Sequence, residues 1–364
     1  MSVAAQVAAL RSSAGLSRPT HIAVVRVDGP DALDFLQVVS TQSPYVREGR
    51  VRHTLLLRED ASVFADAFIV KVEEAFLVIA EGPSEQGGEQ EIVAWLETSR
   101  ERANKQVTIH GTQADWVALG VDGPYAWEVV VGLLGPVVLG LPYLSLLRRE
   151  DILCMRAGKT GEYGYLLLVP RASAAGVEAK LVEIGAPLDV MSVTREALDV
   201  CALESWHFSM RTLRDAGFAS RLTPIELQLQ WRVAYTRDFV GAEALRARRT
   251  EGPKARVTCF TAEGPIATGE RIQLPSMGLH VGEVLAACDS PTLGHTVGSA
   301  LLDLRFAHPH LTLSTAPGGL SLRTCTASLV DSRSLHVDPH KHSYATRGMG
   351  PAELELLAKE RAIS

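Results

Sequence analysis

An apolar run with one charged break, Ile22–Val27 (IAVVRV), predicts a strand, and Asp28-Gly29-Pro30 predicts a turn after it. Asp31 then stands where a helix cap is expected, and Leu33, Phe35, Leu36 and Val39 follow at helical spacing. The same pattern returns as Trp116–Val121 (WVALGV), Asp122-Gly123-Pro124 and Tyr125–Val131, which implies two related substructures. Between the two copies, Arg52–Leu57, Val63–Val72 and Ala75–Ala80 read as strands joined by tight turns such as Glu73-Glu74. Glu81–Gln90 reads as a polar loop and Glu91–Arg102 as an amphipathic helix. Tyr165–Val169 is strand-like, Ala172–Ile184 helical, and Ala4–Arg11 a short helix ending near Gly15.

The pattern changes near Arg246–Pro253 (RARRTEGP), a basic, turn-rich stretch that reads as a linker. Beyond it, Ala255–Phe260, Glu270–Leu274, Gly278–Ala287, Gly298–Leu304 and Ser321–Leu329 are short β-like runs between Gly/Pro turns. They predict an all-β barrel or sandwich. The chain from Pro339 is polar, and helical again from Pro351. Val129–Leu147 carries no charge and is long enough to span a bilayer. It contains Gly132, Gly135, Pro136, Gly140 and Pro142, however, and proline inside a helix costs about 3 kcal/mol. Buried turns and strands are expected there, with no membrane span.

Composition narrows the function. The 364 residues are 46% hydrophobic and 21% charged, which suits packed domains. A net charge of −6 argues against nucleic acid as a partner, since neutralising phosphate needs a basic face. Cys154, Cys201, Cys259, Cys288 and Cys325 are odd in number, widely spaced and without a CxxC pair. That speaks against a disulfide framework or zinc site and for a reducing compartment. The start of the chain lacks the charged and apolar blocks of a secretory signal, so a cytoplasmic protein is expected.

Two motifs mislead. Gly158-Lys159-Thr160 resembles the end of a phosphate-binding loop, but position 153 is Leu where that loop needs glycine. The continuation GEYGYLLLVP is strand-like where the loop must open a helix. Nucleotide binding is therefore not expected. His336, His340 and His342 in HVDPHKH, with His308 and His310, sit on a proline-containing stretch that is a poor frame for a metal, and no metal site is predicted.

A series of phrases in order carries a family resemblance. They are GLSRPTHIAVVRVDGPDALDFLQVVST, LLLREDASVFADAFIVKV, VALGVDGPYA, RAGKTGEYGYLLLV, ALDVCALES, LTPIELQLQWRVAYTRDFVGAEAL and VGEVLAACDSPTLGHTVGSALL. Together they resemble the aminomethyltransferase family, the T protein of the glycine cleavage system and its relatives, over roughly Val7 to Ser332. The resemblance implies an α+β, three-domain cloverleaf with a central pocket for a reduced folate and a C-terminal β-barrel or jelly-roll-like domain. On that reading residues 1–24 and 115–245 form the mixed α/β core. Residues 25–114 form a ferredoxin-like subdomain, 254–335 the barrel and 336–364 a tail.

The activity implied is transfer of one carbon between a substrate heteroatom and tetrahydrofolate. An acid near N5 of the folate orients the nucleophile and handles its proton, and the resemblance puts Asp66, in VFADAFIVKV between Phe64 and Phe68, in that place. A carboxylate on such an apolar run is costly unless paired, so it is either satisfied locally or functional. Around it the chain departs from the family pattern. Ala80 stands for a folate-touching asparagine, Leu166 for the glutamate that grips the pterin, and Leu198 for an arginine. His53 replaces an aromatic, His207 a tyrosine and Lys159 another tyrosine, while Tyr165 and Phe68 keep apolar bulk nearby. Glu204 and Trp231 are placed to line the pocket, although packing is the commoner role for a tryptophan. Trp206 with His207 makes one wall bulky, ahead of an insertion at Met210–Ser220.

These residues point to a small-molecule one-carbon transferase using tetrahydrofolate, with Asp66 as the proton-handling acid and His53 and His207 as polar partners. The chain begins later than typical members, which speaks against a lipoylated carrier protein as partner. The missing anchors motivate an alternative, a folate-independent enzyme of specialised metabolism using the same pocket. A second alternative is a non-catalytic folate-binding accessory protein for iron–sulfur assembly. That branch carries a cysteine-containing KGCYxGQE stretch, and WRVAYTRDFVGAEAL has no cysteine.

Overall fold

Both Asp-Gly-Pro segments fold as strand, sharp turn and helix, because glycine supplies a backbone conformation that a side chain would block. Gly29 (φ +118°) and Gly123 (φ +137°) lie in the left-handed region. A Cβ would fall 2.6 Å from Gln106 O at the first and 2.5 Å from Ser13 O at the second. The first helix is not capped as expected: the Asp31 carboxylate makes no capping bond and instead accepts from Gln106 N at 2.8 Å.

The computed structural model describes residues 1–82, 88–210, 213, 221–315, 319–350 and 353. In chain order it contains helix α1 (Val3–Ser12), strands β1 (Gly15–Ser17) and β2 (Ile22–Asp28), and helix α2 (Ala32–Val39). Strands β3 (Val51–Leu57), β4 (Val63–Val72) and β5 (Ala75–Glu81) lead to helix α3 (Gly88–Ala103). Next are β6 (Thr108–Gly111), β7 (Trp116–Asp122), helix α4 (Ala126–Leu134), β8 (Ser145–Arg149), β9 (Ile152–Arg156) and β10 (Gly164–Pro170). Helix α5 (Ala174–Gly185), β11 (Met191–Ser192), α6 (Arg195–Glu204) and α7 (Ala242–Glu251) follow. The last strands are β12 (Ala255–Ala262), β13 (Arg271–Leu274), β14 (Leu279–Ser290), β15 (His295–Asp303), β16 (Thr312–Ser314) and β17 (Ser321–Cys325).

Two units emerge. The first comprises Met1–Arg18, Val117–Cys201 and Asp331–Ser364, and the second Pro19–Trp116 and Ala202–Val330. The first unit holds a six-stranded sheet in the order β11-β1-β7-β10-β9-β8. Its core joins Val121, Leu167 and Val169 of the sheet to Val129 and Val130 of α4 and Leu181 of α5. Residues 331–350 are part of this unit rather than a loose tail, since Val337 and Tyr344 are buried in the same core. The uncharged run Val129–Leu147 becomes the end of α4, a 3-10 turn at Pro136–Gly140 and the start of β8. No helix among the described residues is long and apolar enough to cross a membrane.

The second unit holds a five-stranded sheet, order β3-β4-β5-β2-β6, and a closed barrel, order β12-β15-β14-β13-β16-β17. Ala65, Ala67 and Ile69 of β4 and Phe76, Val78 and Ala80 of β5 pack against α2 and α3. Alternation along the strands therefore turns His53, Asp66, Phe68 and Glu81 to the other face. Phe260, Ile272, Val284, Leu302 and Leu322 fill the barrel. The predicted loop Glu81–Gln90 is shorter at both ends, with β5 running through Glu81 and α3 starting at Gly88. Most of the Met210–Ser220 insertion, and the helix expected beyond Pro351, lie outside the described residues.

Candidate functional site

The Asp66 face of the sheet carries a charged cluster on an otherwise apolar strand. Asp66 is 3% exposed, and its Oδ1 accepts from Arg232 Nη1 at 2.9 Å and lies 2.7 Å from His53 Nε2. One oxygen of the carboxylate is thus met by an arginine 166 positions away in sequence, while no hydrogen bond among the described residues reaches the buried Oδ2. An adjacent guanidinium favours the charged form of a carboxylate, and bonds of this kind are stronger than neutral ones. The His53 ring is stacked on Phe68 with centroids 4.3 Å apart, so its orientation is set from two sides.

Arg232 is delivered by a short 3-10 turn, Gln230–Arg232, which side chains after α2 hold in place. Thr41 Oγ1 donates to Arg232 O at 2.8 Å, and Ala234 N donates to Thr41 O at 2.9 Å. Gln42 Nε2 donates to Trp231 O at 3.2 Å, and Thr41 and Thr54 share a hydroxyl contact at 3.1 Å. Trp231 is 66% exposed, so it is not the buried packing tryptophan that its type suggests; its ring lies 4.8 Å from the Arg232 guanidinium carbon. The exposed ring and the buried cation beside it form a cation–π contact.

Glu81 is a second buried acid, directly opposite Asp66 in the β4–β5 register, and Ser209 Oγ donates to its Oε1 at 3.1 Å. Directly opposed residues have side chains close enough to interact. The sequence carried a signal for this pair, because a hairpin turning at Glu73-Glu74 sets Asp66 and Glu81 equally far from its turn. Arg232 had no such signal. The correction at Ala80 has the same origin: Ala80 pairs with Ala67 and faces the helices, not Asp66.

The remaining second-unit positions make further contacts. Glu204 is fully buried, with Ser290 Oγ donating at 2.6 Å and Thr292 Oγ1 at 3.1 Å, which ties the end of α6 to the β14–β15 turn. Trp206 adopts φ +58° just after α6 and packs half-buried on the cluster of Leu55, Leu57, Val63 and Val257. His207 N donates to Ala202 O at 2.8 Å, which ends the helix.

In the first unit, Tyr165 and Leu166 take opposite faces of β10. Tyr165 is buried in the core with Leu167 and Val169, and burial pushes its hydroxyl pKa up. It is therefore a core residue and not a pocket wall. Leu166 pairs with Met155 on the other face, Leu198 is half-buried on α6, and Lys159 is half-buried in the turn before β10. That turn leads into strand β10 rather than a helix; Gly161 has φ +83°, and Thr160 Oγ1 lies 3.4 Å from Asp122 Oδ1. Glu162 at its tip accepts from Ser334 N at 2.8 Å and Ser332 Oγ at 3.0 Å, which pins the 332–334 segment.

The GCVT N-terminal domain matches residues 1–237 of the chain. Aminomethyltransferases of Corynebacterium aurimucosum and Streptomyces avermitilis are each 29% identical to it, over 81% and 86% of the chain and 80% and 84% of their own lengths. That of Thermotoga neapolitana is 26% identical over 83% of the chain and 82% of its own length. The crystal structure of the glycine cleavage system aminomethyltransferase T from Bartonella henselae matches with a TM-score of 0.77 at 22% identity. That match covers 91% of this chain and 90% of the other, and the two share the fold. With one domain matched over more than half its length and the α+β architecture and closed barrel in place, the chain belongs to the aminomethyltransferase family.

Proposed function

We propose that the chain is a one-carbon (methyl or methylene) transferase acting on a small molecule with reduced folate, and that Asp66 handles the proton of that transfer. Family membership supports the coarse activity, a folate-dependent one-carbon transfer. The finer reading is carried by one observation: a buried carboxylate on a sheet face, held by a guanidinium at 2.9 Å and an imidazole at 2.7 Å.

Reduced folate, when bound, supplies the nitrogen that takes up or gives up the one-carbon unit. A fixed, charged carboxylate is suited to accept the N–H and its proton. Arg232 keeps Asp66 in place and favours its charged state, while His53 Nε2 is a second group able to carry the proton near neutral pH.

This acid fits a reduced pterin nitrogen. The three substituted anchors do not contribute: Ala80 faces the helices, and Leu166 and Leu198 have no hydrogen-bonding side chain. Polar edges of the pterin must then be met by other groups, and Glu81 is an acid on the same sheet face as Asp66.

Calorimetric titration with tetrahydrofolate and with 5-methyltetrahydrofolate tests the reading. Saturable binding of either by the wild-type chain, retained in Asp66→Asn, is the expected result. Absence of binding for both overturns it and leaves the folate-independent enzyme, which the apolar residues at the anchor positions favour.

A further inference from the structure

Cys259 on β12 and Cys325 on β17 are direct cross-strand partners in an antiparallel pair. Such partners have Cα atoms about 4.5–5.5 Å apart, inside the span of about 4.4–6.8 Å that a disulfide bridges. Phe260, Ala262 and Leu322 point into the barrel, so Cys259 and Cys325 share its outer face. Cys259 Sγ donates to Cys325 O at 3.0 Å, which aims the first sulfur across the strand gap. Cys259 is buried and Cys325 only half-buried, and both are free thiols.

We propose that Cys259 and Cys325 form a redox modification site, which takes oxidising equivalents from a hydroperoxide and closes as a cross-strand disulfide. The more accessible Cys325 thiolate attacks the peroxide oxygen, the O–O bond breaks, and the alkoxide leaves as alcohol after taking a proton. Cys325 is then a sulfenic acid. The Cys259 sulfur attacks that of Cys325, the S–O bond breaks, and water departs with the Cys259 proton as the S–S bond forms. Two thiols are oxidised, and one hydroperoxide is reduced to alcohol and water. The contact between the two thiols supports this division of labour: it shifts the pKa of Cys325 down, and with burial it shifts that of Cys259 up.

The bond would join the first and last strands of the barrel and enclose β13 to β16 in a covalent ring. Constraint on so long a loop stabilises the folded state. The inference is independent of folate binding and of Asp66.

The test treats the full-length chain with excess tert-butyl hydroperoxide, followed by thiol titration and peptide mapping without reductant. Wild-type protein should lose two thiols, show a Cys259–Cys325 cross-link that dithiothreitol reverses, and gain several degrees in thermal midpoint. Cys259→Ser should accumulate a dimedone-reactive sulfenic acid at Cys325, and Cys325→Ser should leave Cys259 unoxidised. Retention of both thiols in the wild type overturns the proposal. So does a cross-link through Cys154, Cys201 or Cys288, or oxidation of Cys325 to sulfinic acid without a cross-link. The wild-type outcomes decide the matter even where a variant folds poorly.

Discussion

Asp66 on β4 and Asp122 at the end of β7 are both buried aspartates, 3% and 9% exposed, in the second and first units respectively. Asp66 has a cation, Arg232, and an imidazole on one oxygen. Asp122 has no ion-pair partner among the described residues, and the Thr160 hydroxyl lies 3.4 Å from its Oδ1. Burial pushes its pKa up to about 7, and the hydroxyl only partly opposes this. Gly158 and Gly164 crowd the same oxygen, where a Cβ on either would come within 2.7 and 2.8 Å. Asp28, at the matching place in the first Asp-Gly-Pro segment, stays near the surface and pairs with Arg26 at 2.9 Å. A carboxylate taken out of water thus meets one of two ends: a partner that favours its charge, or a proton that removes it. Only the first leaves a ready base.

Replacing Asp66 by Asn should break the comparison most severely. Loss of a positioned acid–base group lowers turnover by about 10²–10⁴-fold. Circular dichroism and folate binding should be retained, and undiminished turnover would remove Asp66 from the chemistry. Arg232→Met comes next, since stranding a buried charge costs about 3–5 kcal/mol in urea unfolding. The double variant Asp66→Leu/Arg232→Met should recover most of that loss, and a neutral single variant would mean that the ion pair does not hold the fold.

The pH dependence of stability sharpens the other side. Below pH 3.8 Asp122 is protonated in folded and unfolded chains alike. Between 3.8 and about 7 only the folded chain keeps the proton, so its contribution to stability falls as pH rises. The full loss, reached above the folded pKa, is at most about 4 kcal/mol at 1.36 kcal/mol per unit. The advantage of Asp122→Asn over wild type in unfolding free energy should therefore grow from pH 4 to pH 7. A difference that stays flat would show that Asp122 titrates as an ordinary aspartate. The smallest effect concerns another buried acid, Glu204, which is held by hydroxyls. Ser290→Ala removes one of these donors and should cost about 1 kcal/mol in the same unfolding experiment.

Legibility from sequence followed range. The strand–turn–helix copies, the hairpin at Glu73-Glu74 and the β character of Ala255–Leu329 depend on neighbours a few residues apart, and they appear where the pattern puts them. The hairpin even implied the Asp66–Glu81 pairing, which the polar-loop reading of Glu81 concealed. Tyr165 was placed beside Leu166 by sequence adjacency, while a strand sends neighbours to opposite faces. Trp231 looked like a packing residue by its type, but the turn that buries Arg232 leaves the indole out. Residues 336–364 looked like a tail because the polar composition of the stretch hides Val337 and Tyr344, two anchors in the first unit's core.

By itself the sequence determined the α+β character, the family, the inner strand that bears Asp66 and the face that each strand residue takes. The family rests on motifs in order along the chain, and the elements and strand faces on periodicities of two and 3.6 residues, which act locally. Tertiary structure alone decided which groups meet: Arg232 on Asp66 across 166 residues, hydroxyls on Glu204 across 86, and the Cys259 thiol on the Cys325 carbonyl across 66. No spacing rule reaches that far. Such contacts form only when the whole unit closes, and there burial makes an acid's choice of partner a matter of several kcal/mol.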